Sequence, residues 1–282
     1  MYFYHAHTMA LGGTLTRPHQ LVIEPQAACS LPITGGRGSS RSDDYNFNGM
    51  ISFRSAQVDV AGSQDGSPAI YSTRSSAIIE DLNVLNVVTA DRVVASLTSR
   101  HVDGQEESSI LTSGCYFENL KISGIPVTLE LGHDLLNTYN TYKNLSNAFD
   151  QASTKDTVLQ RLLGSGFEPG DGTGIPQHLK DIHNIFQRQK ALGNLDKTVV
   201  CSFVKSVTAP GFVPYKSGSS SEIQTCGPIV IVPHFGTIFI GEVIISHGMR
   251  RVNMLRMELG SPDGGTLAVA SGTNNGTSFP PT

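Results

Sequence analysis

The sequence predicts a mainly β fold: an antiparallel β-sandwich that carries one inserted helical lobe. Two observations predict it. Apolar residues alternate with a period of two in a first block, 1–133, and again in a third block, 197–282, whereas over about 134–193 they recur at helical spacing. The 282 residues are also enough to bury a sizeable core without metals or cross-links. We therefore expect one domain, in which the third block completes the sheets begun by the first.

Strand signals dominate the first block. Residues 50–60 alternate apolar and polar side chains as a strand does. The stretch 77–97 is too long and too rich in β-branched residues to be one strand, so we expect two strands with a break near Asn86. The clearest hairpin covers 116–131, and the glycine- and serine-rich stretch 35–40 is interpreted as an exposed loop. One-sided alternation of this kind is typical of antiparallel sheets with one solvated face.

The apolar period changes at Asp134, a residue type that often caps the first turn of a helix. The apolar residues that follow at helical spacing are Leu135, Tyr139, Tyr142, Leu145 and Phe149. Two further helices are predicted at about 154–163 and 176–193. Because each apolar stripe must be buried, we expect the helices to form a lobe that covers one edge or end of a sheet.

Strand signals return in the third block. Residues 238–245 place apolar side chains on both faces, which indicates a central strand or one that the helical lobe covers. The stretch 271–282 is rich in Gly, Asn and Pro and shows neither the strand period nor the helical period. We therefore interpret 271–282 as an extended C-terminal arm that is ordered only when it docks on another surface.

A stretch in the first block resembles a repeated motif of bacterial surface proteins. It reads SAIIEDLNVL over 76–85 and continues VVTADRV over 87–93. In the uncharacterised proteins grouped as choice-of-anchor proteins, a strand of mixed Ala, Val and Leu is followed by a VTAD turn and a second strand, as at Val88-Thr89-Ala90-Asp91 here. No catalytic residue is attached to this motif. The resemblance implies a secreted β-sandwich.

Composition favours an extracellular or cell-surface protein, with the cytoplasm as the alternative. Charged residues make up 16% of the chain, against about 25% in typical soluble domains. The N-terminal sequence lacks the basic segment and the apolar segment of a signal peptide, which departs from the expectation of secretion. No apolar run reaches the roughly 18 residues of a transmembrane helix. The net charge of −4 argues against a nucleic-acid partner.

No residue pattern indicates catalysis, so we expect no catalytic residue, metal ligand or cofactor. His5 and His7 would point to the same side of a strand, but the sequence offers them no third metal ligand. The glycine-rich stretch 164–174 lacks the Lys-Ser/Thr of a phosphate-binding loop. The chain also has no Gly-x-Ser-x-Gly element of the kind that carries a nucleophilic serine.

The four cysteines allow two interpretations. Cys201 and Cys226 flank one predicted loop, and a disulfide between them would stabilise the fold by about 3–4 kcal/mol through loop entropy. Alternatively, all four cysteines are buried thiols: Cys29, Cys115, Cys201 and Cys226. The spacing of the four does not resemble a zinc site or a redox motif.

The function that we expect is structural: a subunit that assembles with copies of itself into a filament, layer or cage. The two chain ends supply the predicted contacts. The N-terminal strand, with Tyr2, Phe3 and Tyr4, would add to a sheet edge of a neighbouring subunit. The C-terminal arm would dock its tip on that neighbour through Phe279 and Pro280.

Two other functions stay open. One is a cell-surface adhesive or ligand-binding module, whose binding residues would lie in the Gly/Ser-rich loops around 35–42 and 217–221. The other is a hydrolase whose site is assembled from distant loops. No residue in the sequence is assigned to that hydrolase site.

Overall fold

A computed structural model describes residues 2–150, 198–215, 221–246, 248–260 and 264–278. Several predictions therefore lie outside the described residues. They are the helices at 154–163 and 176–193, most of the binding loop at 217–221, and the arm residues Phe279 and Pro280.

The described chain is mainly β. Its strands, in chain order, are β1 (Tyr2–Arg17), β2 (Leu21–Gln26), β3 (Cys29–Ser30), β4 (Gly36–Phe47), β5 (Ile51–Asp65), β6 (Ile70–Val84), β7 (Val88–Val102), β8 (Ser109–Leu111), β9 (Tyr116–Glu118), β10 (Lys121–Ile122), β11 (Ile125–Pro126), β12 (Thr128–Leu131), β13 (Val199–Ser202), β14 (Val204–Thr208), β15 (Val213–Pro214), β16 (Gln224–Cys226), β17 (Ile229–Val232), β18 (Gly236–Ser246), β19 (Met249–Leu259) and β20 (Gly264–Ser278). Two short helices, α1 (Asp134–Thr138) and α2 (Tyr142–Asp150), follow β12.

The strands form two large sheets that pack face to face, which confirms the predicted β-sandwich. All described strand pairs in them are antiparallel except β15 with β16, which is parallel. Sheet A has ten strands in the order β15-β16-β17-β18-β19-β20-β1-β2, with β13 beside β18 and β3 beside β1. Sheet B has eight strands in the order β11-β10-β7-β6-β5-β4, with β8 and β9 beside β7. A separate pair joins β12 to β14. The sheets meet where β1 and β20 of sheet A contact β5, β6 and β7 of sheet B.

Alternation along the strands points small apolar side chains into the space between the sheets. On sheet B, Val58 lies opposite Ala77, and Ala77 lies opposite Ala95 on the next strand. All three are buried, and Ala10 of β1 belongs to the same core cluster. Because these side chains are short, the backbones of the two sheets come close together at the centre of the sandwich.

The predicted break near Asn86 is confirmed. Residues 85–87 connect β6 to β7, since Val84 pairs with Val88. Leu85 and Asn86 have φ values of 52° and 54°, the left-handed values that the two central residues of a type I′ turn take. The Val87 N–H donates to the Val84 carbonyl oxygen at 2.9 Å and closes the turn. Asparagine tolerates this conformation readily, whereas leucine adopts it at a cost in free energy.

The predicted hairpin over 116–131 is confirmed only at its centre. β10 and β11 pair around Ser123-Gly124, with Ile122 opposite Ile125. The flanking strands pair elsewhere: β9 with β7 and β12 with β14. A single alternating stretch is therefore divided between sheet B and the separate two-stranded sheet.

The helical signal that begins at Asp134 is confirmed, but as two short helices. His133 takes the N-cap position and Asp134 lies in the first turn, where a carboxylate interacts favourably with the helix dipole. Leu135 of α1 and Leu145 of α2 are buried, and the two helices contact β8 and β13. No helix in the described ranges is long and apolar enough to cross a membrane.

The interpretation of 271–282 as an arm is wrong for residues 271–278. These residues belong to β20, a central strand of sheet A that pairs with β1 on one side and β19 on the other. A Cβ at Gly272 would lie 2.6 Å from the Ser75 hydroxyl oxygen of sheet B. The sheets approach so closely along β20 that several positions admit only small residues, and this removes the apolar alternation from the sequence.

The loop predicted at 35–40 is also wrong, because Gly36–Phe47 form β4, an edge strand of sheet B. No residue of β4 is buried, so no apolar period marks the strand. The edge carries an ion pair between Arg41 and Asp43 at 2.9 Å. Charged side chains on an edge discourage uncontrolled pairing with another sheet.

Candidate functional site

A cleft of about 420 Å³ opens at the end of the sandwich where β1 begins. We call it the tyrosine cleft; it is lined by Tyr2, Phe3, Tyr4, Ile33, Thr34, Gly62, Ser63, Gln64 and Tyr71. Its volume falls within the roughly 300–1,000 Å³ typical of ligand pockets. The described residues that line it are aromatic, apolar or uncharged polar, so they favour an uncharged ligand with an apolar face.

The three tyrosines of the cleft come from both sheets. Tyr2 and Tyr4 are two residues apart on β1, so both point inward, and Tyr71 comes from β6. The rings of Tyr2 and Tyr71 are stacked, with centroids 4.4 Å apart and planes at 7°. Tyr4 meets Tyr2 edge-on at 5.0 Å. Aromatic contacts of this kind contribute about 0.5–1.5 kcal/mol each beyond burial, so the cleft wall is a packed cluster.

A glycine of sheet B makes room for Tyr4. A Cβ at Gly62 would lie 2.7 Å from Cδ1 of the Tyr4 ring and 2.9 Å from Cδ2 of Leu31. The Tyr4 ring therefore rests against the backbone of β5. This contact leaves only 6% of Tyr4 exposed although it lies beside an open cleft.

The hydroxyl group of Tyr2 reaches away from the cleft into a buried polar region. It interacts with Ser108 and Thr73 and lies in the electric field of Arg250. Burial raises the pKa of Tyr2, while the two hydroxyl contacts and the Arg250 charge oppose this change. Tyr2 thus connects the cleft to the interior between the sheets.

Asn274 of β20 crosses the interior to sheet B. Its Nδ2–H₂ group donates to the carbonyl oxygens of Thr73 and Leu97, each at 2.9 Å. It is fully buried, and it lies opposite Arg250 on the neighbouring strand. These bonds fix the distance between the sheets at this end of the sandwich.

A histidine completes the aromatic cluster. The ring of His101 stacks on Tyr2 at 5.4 Å with planes at 25°. Burial lowers the pKa of His101, the carboxylate of Asp103 raises it, and Arg250 lowers it again. The imidazole is therefore neutral at pH 7, which suits a ring that packs against tyrosine.

A second, more open groove of about 610 Å³ lies on sheet B. Arg37 of β4 and Arg74 of β6 flank Asp59 of β5, with Ser39 and Ser76 beside them. Both arginines are exposed. The groove can offer hydrogen bonds and positive charge to a ligand, but its described residues include no aromatic ring.

The structure places the predicted assembly residues Tyr2, Phe3 and Tyr4 together in the tyrosine cleft. Only 7% of Tyr2 and 6% of Tyr4 is exposed, so the expectation that these two aromatics lie exposed is wrong. Over residues 2–4, β1 pairs with β20 on one side, whereas β3 and β2 pair with its other side only from His7 onward. Addition of this strand to a neighbour's sheet edge stays a prediction. Phe279 and Pro280 lie beyond Ser278, which pairs with Tyr2.

His5 and His7 both lie on the outward side of β1, as expected from their spacing. Burial, Arg251 and His5 lower the pKa of His7. Within the described residues, no three His, Cys, Asp or Glu side chains are grouped closely enough to hold a metal ion.

The cysteines are free thiols, so the Cys201–Cys226 disulfide is not formed. Burial raises the pKa of Cys201 to about 12, with a contribution from Glu242, and burial raises that of Cys226 to about 11. Burial also raises the pKa of Cys115 to about 11. These three thiols are therefore protonated and unreactive at neutral pH.

Sequence reasoning missed Tyr71, His101, Arg250 and Asn274, which come from distant strands. One signal was present: polar residues stand at inward positions of β6 and β7, where Thr73 and Ser99 lie opposite each other. A polar residue at a position that the alternation assigns to the core indicates a buried polar site.

Comparison with known proteins identifies one family. The model of the family described as "Domain of unknown function (DUF8256)" matches residues 2–246. Neither a curated protein nor a solved structure matches the sequence.

Proposed function

The chain belongs to the DUF8256 family, and we propose that it is a structural subunit that assembles with copies of itself through the tyrosine cleft. One observation carries this proposal. The strand that leads to the sequence Phe279-Pro280-Pro281 ends at Ser278, directly beside Tyr2 of the cleft.

The chemistry of the cleft suits a proline-containing segment. Aromatic-lined grooves bind such segments because proline rings pack on aromatic faces and because proline arrives with its φ angle already fixed, which lowers the entropy cost of binding. The side chains of residues 279–282 are uncharged, as are the described residues that line the cleft. The cleft and the segment 279–282 therefore match in apolar character and in their lack of charged side chains.

Strand direction favours a neighbouring copy as the acceptor. β20 runs antiparallel to β1, with Gly276 opposite Tyr4 and Ser278 opposite Tyr2, so the strand points away from Tyr4 at Ser278. Phe279 and Pro280 each precede a proline in the sequence, and a residue before proline favours an extended backbone. Four extended residues span roughly 13 Å.

Such a contact joins two different surfaces, the cleft of one copy and the segment after Ser278 of the next. Contacts of this head-to-tail type generate rings when the rotation between copies closes and filaments when it does not. This supports the expectation of a filament, layer or cage. An extracellular or cell-surface location, as the choice-of-anchor resemblance implies, belongs to the same proposal.

The test compares four proteins by size-exclusion chromatography with light scattering over a range of concentrations. The full chain is expected to form oligomers, whereas deletion of residues 279–282 and the variant Ile33→Glu each weaken assembly at least tenfold. Ile33 lines the cleft and is 62% exposed, so the substitution leaves the fold intact. Val22→Glu, at a 65% exposed position that is not among the cleft residues, is the matched control and should assemble normally.

A peptide with the sequence of residues 278–282 should bind the deletion variant and compete with assembly of the full chain. Assembly of the deletion variant at the strength of the full chain would contradict the proposal. A strictly monomeric full chain at every concentration would contradict it equally.

A second candidate function, an adhesive or ligand-binding module, is favoured by the groove on sheet B. Two exposed guanidinium groups beside hydroxyl groups suit an anionic saccharide. We expect the protein to be retained on immobilised sulfated polysaccharide at low salt. The double variant Arg37→Glu/Arg74→Glu should bind this polysaccharide with at least tenfold lower affinity. Arg17→Glu, on sheet A, is the control with unchanged retention. Equal retention of the wild type, the double variant and the control would show that the groove is not the binding site.

A further inference from the structure

A buried arginine lies between the sheets behind the tyrosine cleft. Arg250 is 3% exposed. One Nη2–H reaches the Ser108 carbonyl oxygen at 3.4 Å, and the buried Nε–H has no hydrogen-bond partner. Across the described residues, no carboxylate forms an ion pair with this guanidinium.

The charge of Arg250 is unfavourable where it lies. Burial lowers its pKa, and the Glu107 carboxylate and the Tyr2 hydroxyl group counteract this only in part. Glu107 is engaged elsewhere, because its Oε2 accepts the Lys143 N–H at 2.9 Å. Since arginine stays protonated in proteins, a buried guanidinium needs a counter-charge close to it.

Further buried polar groups lie on the strands that face Arg250 across the sandwich. The hydroxyl groups of Ser75 and Ser99 are buried without hydrogen-bond partners. Ser99 lies opposite Thr73, whose carbonyl oxygen accepts from Asn274, and Asn274 lies opposite Arg250. We define the Arg250 cluster as Arg250, Tyr2, Ser75, Ser99 and Asn274.

We propose that the Arg250 cluster binds a small anion of halide size between the two sheets. The guanidinium supplies the counter-charge and its free Nε–H supplies a directed donor, while the hydroxyl groups can rotate to donate to the same anion. Asn274 Oδ1, an acceptor without a partner, repels an anion and so holds it on the Arg250 side of the cluster. This site lies behind the tyrosine cleft and shares Tyr2 with it, but the proposal does not rest on the proposed assembly.

The test measures thermal stability at constant ionic strength while bromide replaces fluoride, a more strongly hydrated anion. The Tm of the full chain should rise by roughly 3–5 °C and saturate with bromide concentration. Arg250→Gln should abolish this rise. Arg251→Gln is the matched control, because Arg251 is the exposed neighbour whose Nε–H donates to Thr273 Oγ1, and it should keep the rise.

Ser99→Ala covers the case in which Arg250→Gln does not fold. It keeps the charge, removes one donor, and should weaken the apparent bromide affinity several-fold. Anomalous scattering from bromide in a crystal should place the ion beside Nε of Arg250. A Tm that does not respond to bromide, or a response that is equal in the full chain and in both variants of the cluster, overturns the proposal.

Discussion

At the scale of single residues, Tyr2 has two distinct roles. Its ring forms part of the cleft wall against Tyr71, and its hydroxyl group enters the polar interior beside Arg250. The ring reaches that interior by passing over Gly276, where any Cβ would collide with the Tyr2 hydroxyl. One side chain therefore belongs to both sites.

His101, stacked on Tyr2, makes stability depend on pH in a defined direction. Its folded-state pKa lies below the ordinary 6.5, chiefly because of burial, so the unfolded chain binds the proton more readily. Stability is fully present above pH 6.5 and is lost as pH falls toward the folded pKa. We expect the free energy of unfolding to decrease between pH 7 and 5, with a slope of at most about 1.4 kcal/mol per pH unit from this one group.

Urea unfolding at several pH values measures this effect. His101→Gln should flatten the dependence, and His19→Gln, at an exposed position in the β1–β2 connection, should leave it unchanged. An identical pH dependence in the wild type and His101→Gln would show that His101 is not responsible.

At the scale of elements, β20 holds sheet A together. It pairs along its length with β1 and with β19, and Asn274 ties it to sheet B through two hydrogen bonds. Without β20, both neighbouring strands would expose a full row of unpaired backbone groups. A strand with few large apolar residues is therefore central to the fold.

Removal of residues 271–282 should consequently abolish cooperative unfolding, because the strand that joins β1 to β19 is cut through its paired region. Removal of residues 279–282 alone is the control and should change the Tm by less than about 2 °C, since it leaves every ladder pair of β20 in place. Circular dichroism melts of the two truncated proteins measure the difference. A cooperative melt after removal of 271–282 would contradict the central role of β20.

At the scale of the whole molecule, the sequence allowed prediction of the β-sandwich but not of the tyrosine cleft or the Arg250 cluster. The period of two located most long strands of both sheets, and the period change at Asp134 located α1. Pairing between β1 and β20 was not predictable, because alternation assigns faces and carries no information on partners so distant in the chain. The Arg250 cluster depends on this pairing, because β20 lies between β1 and β19 and so brings Tyr2, Asn274 and Arg250 together.

The order of strands in sheet A has a consequence for biosynthesis. β1 is the first of the described strands to be translated, and its partner β20 is the last. At roughly 5–20 residues per second, β1 waits tens of seconds for that partner, with a row of backbone groups available for pairing with other nascent chains. A chaperone that holds the nascent chain through this interval would raise the yield of folded protein more than one that acts after release.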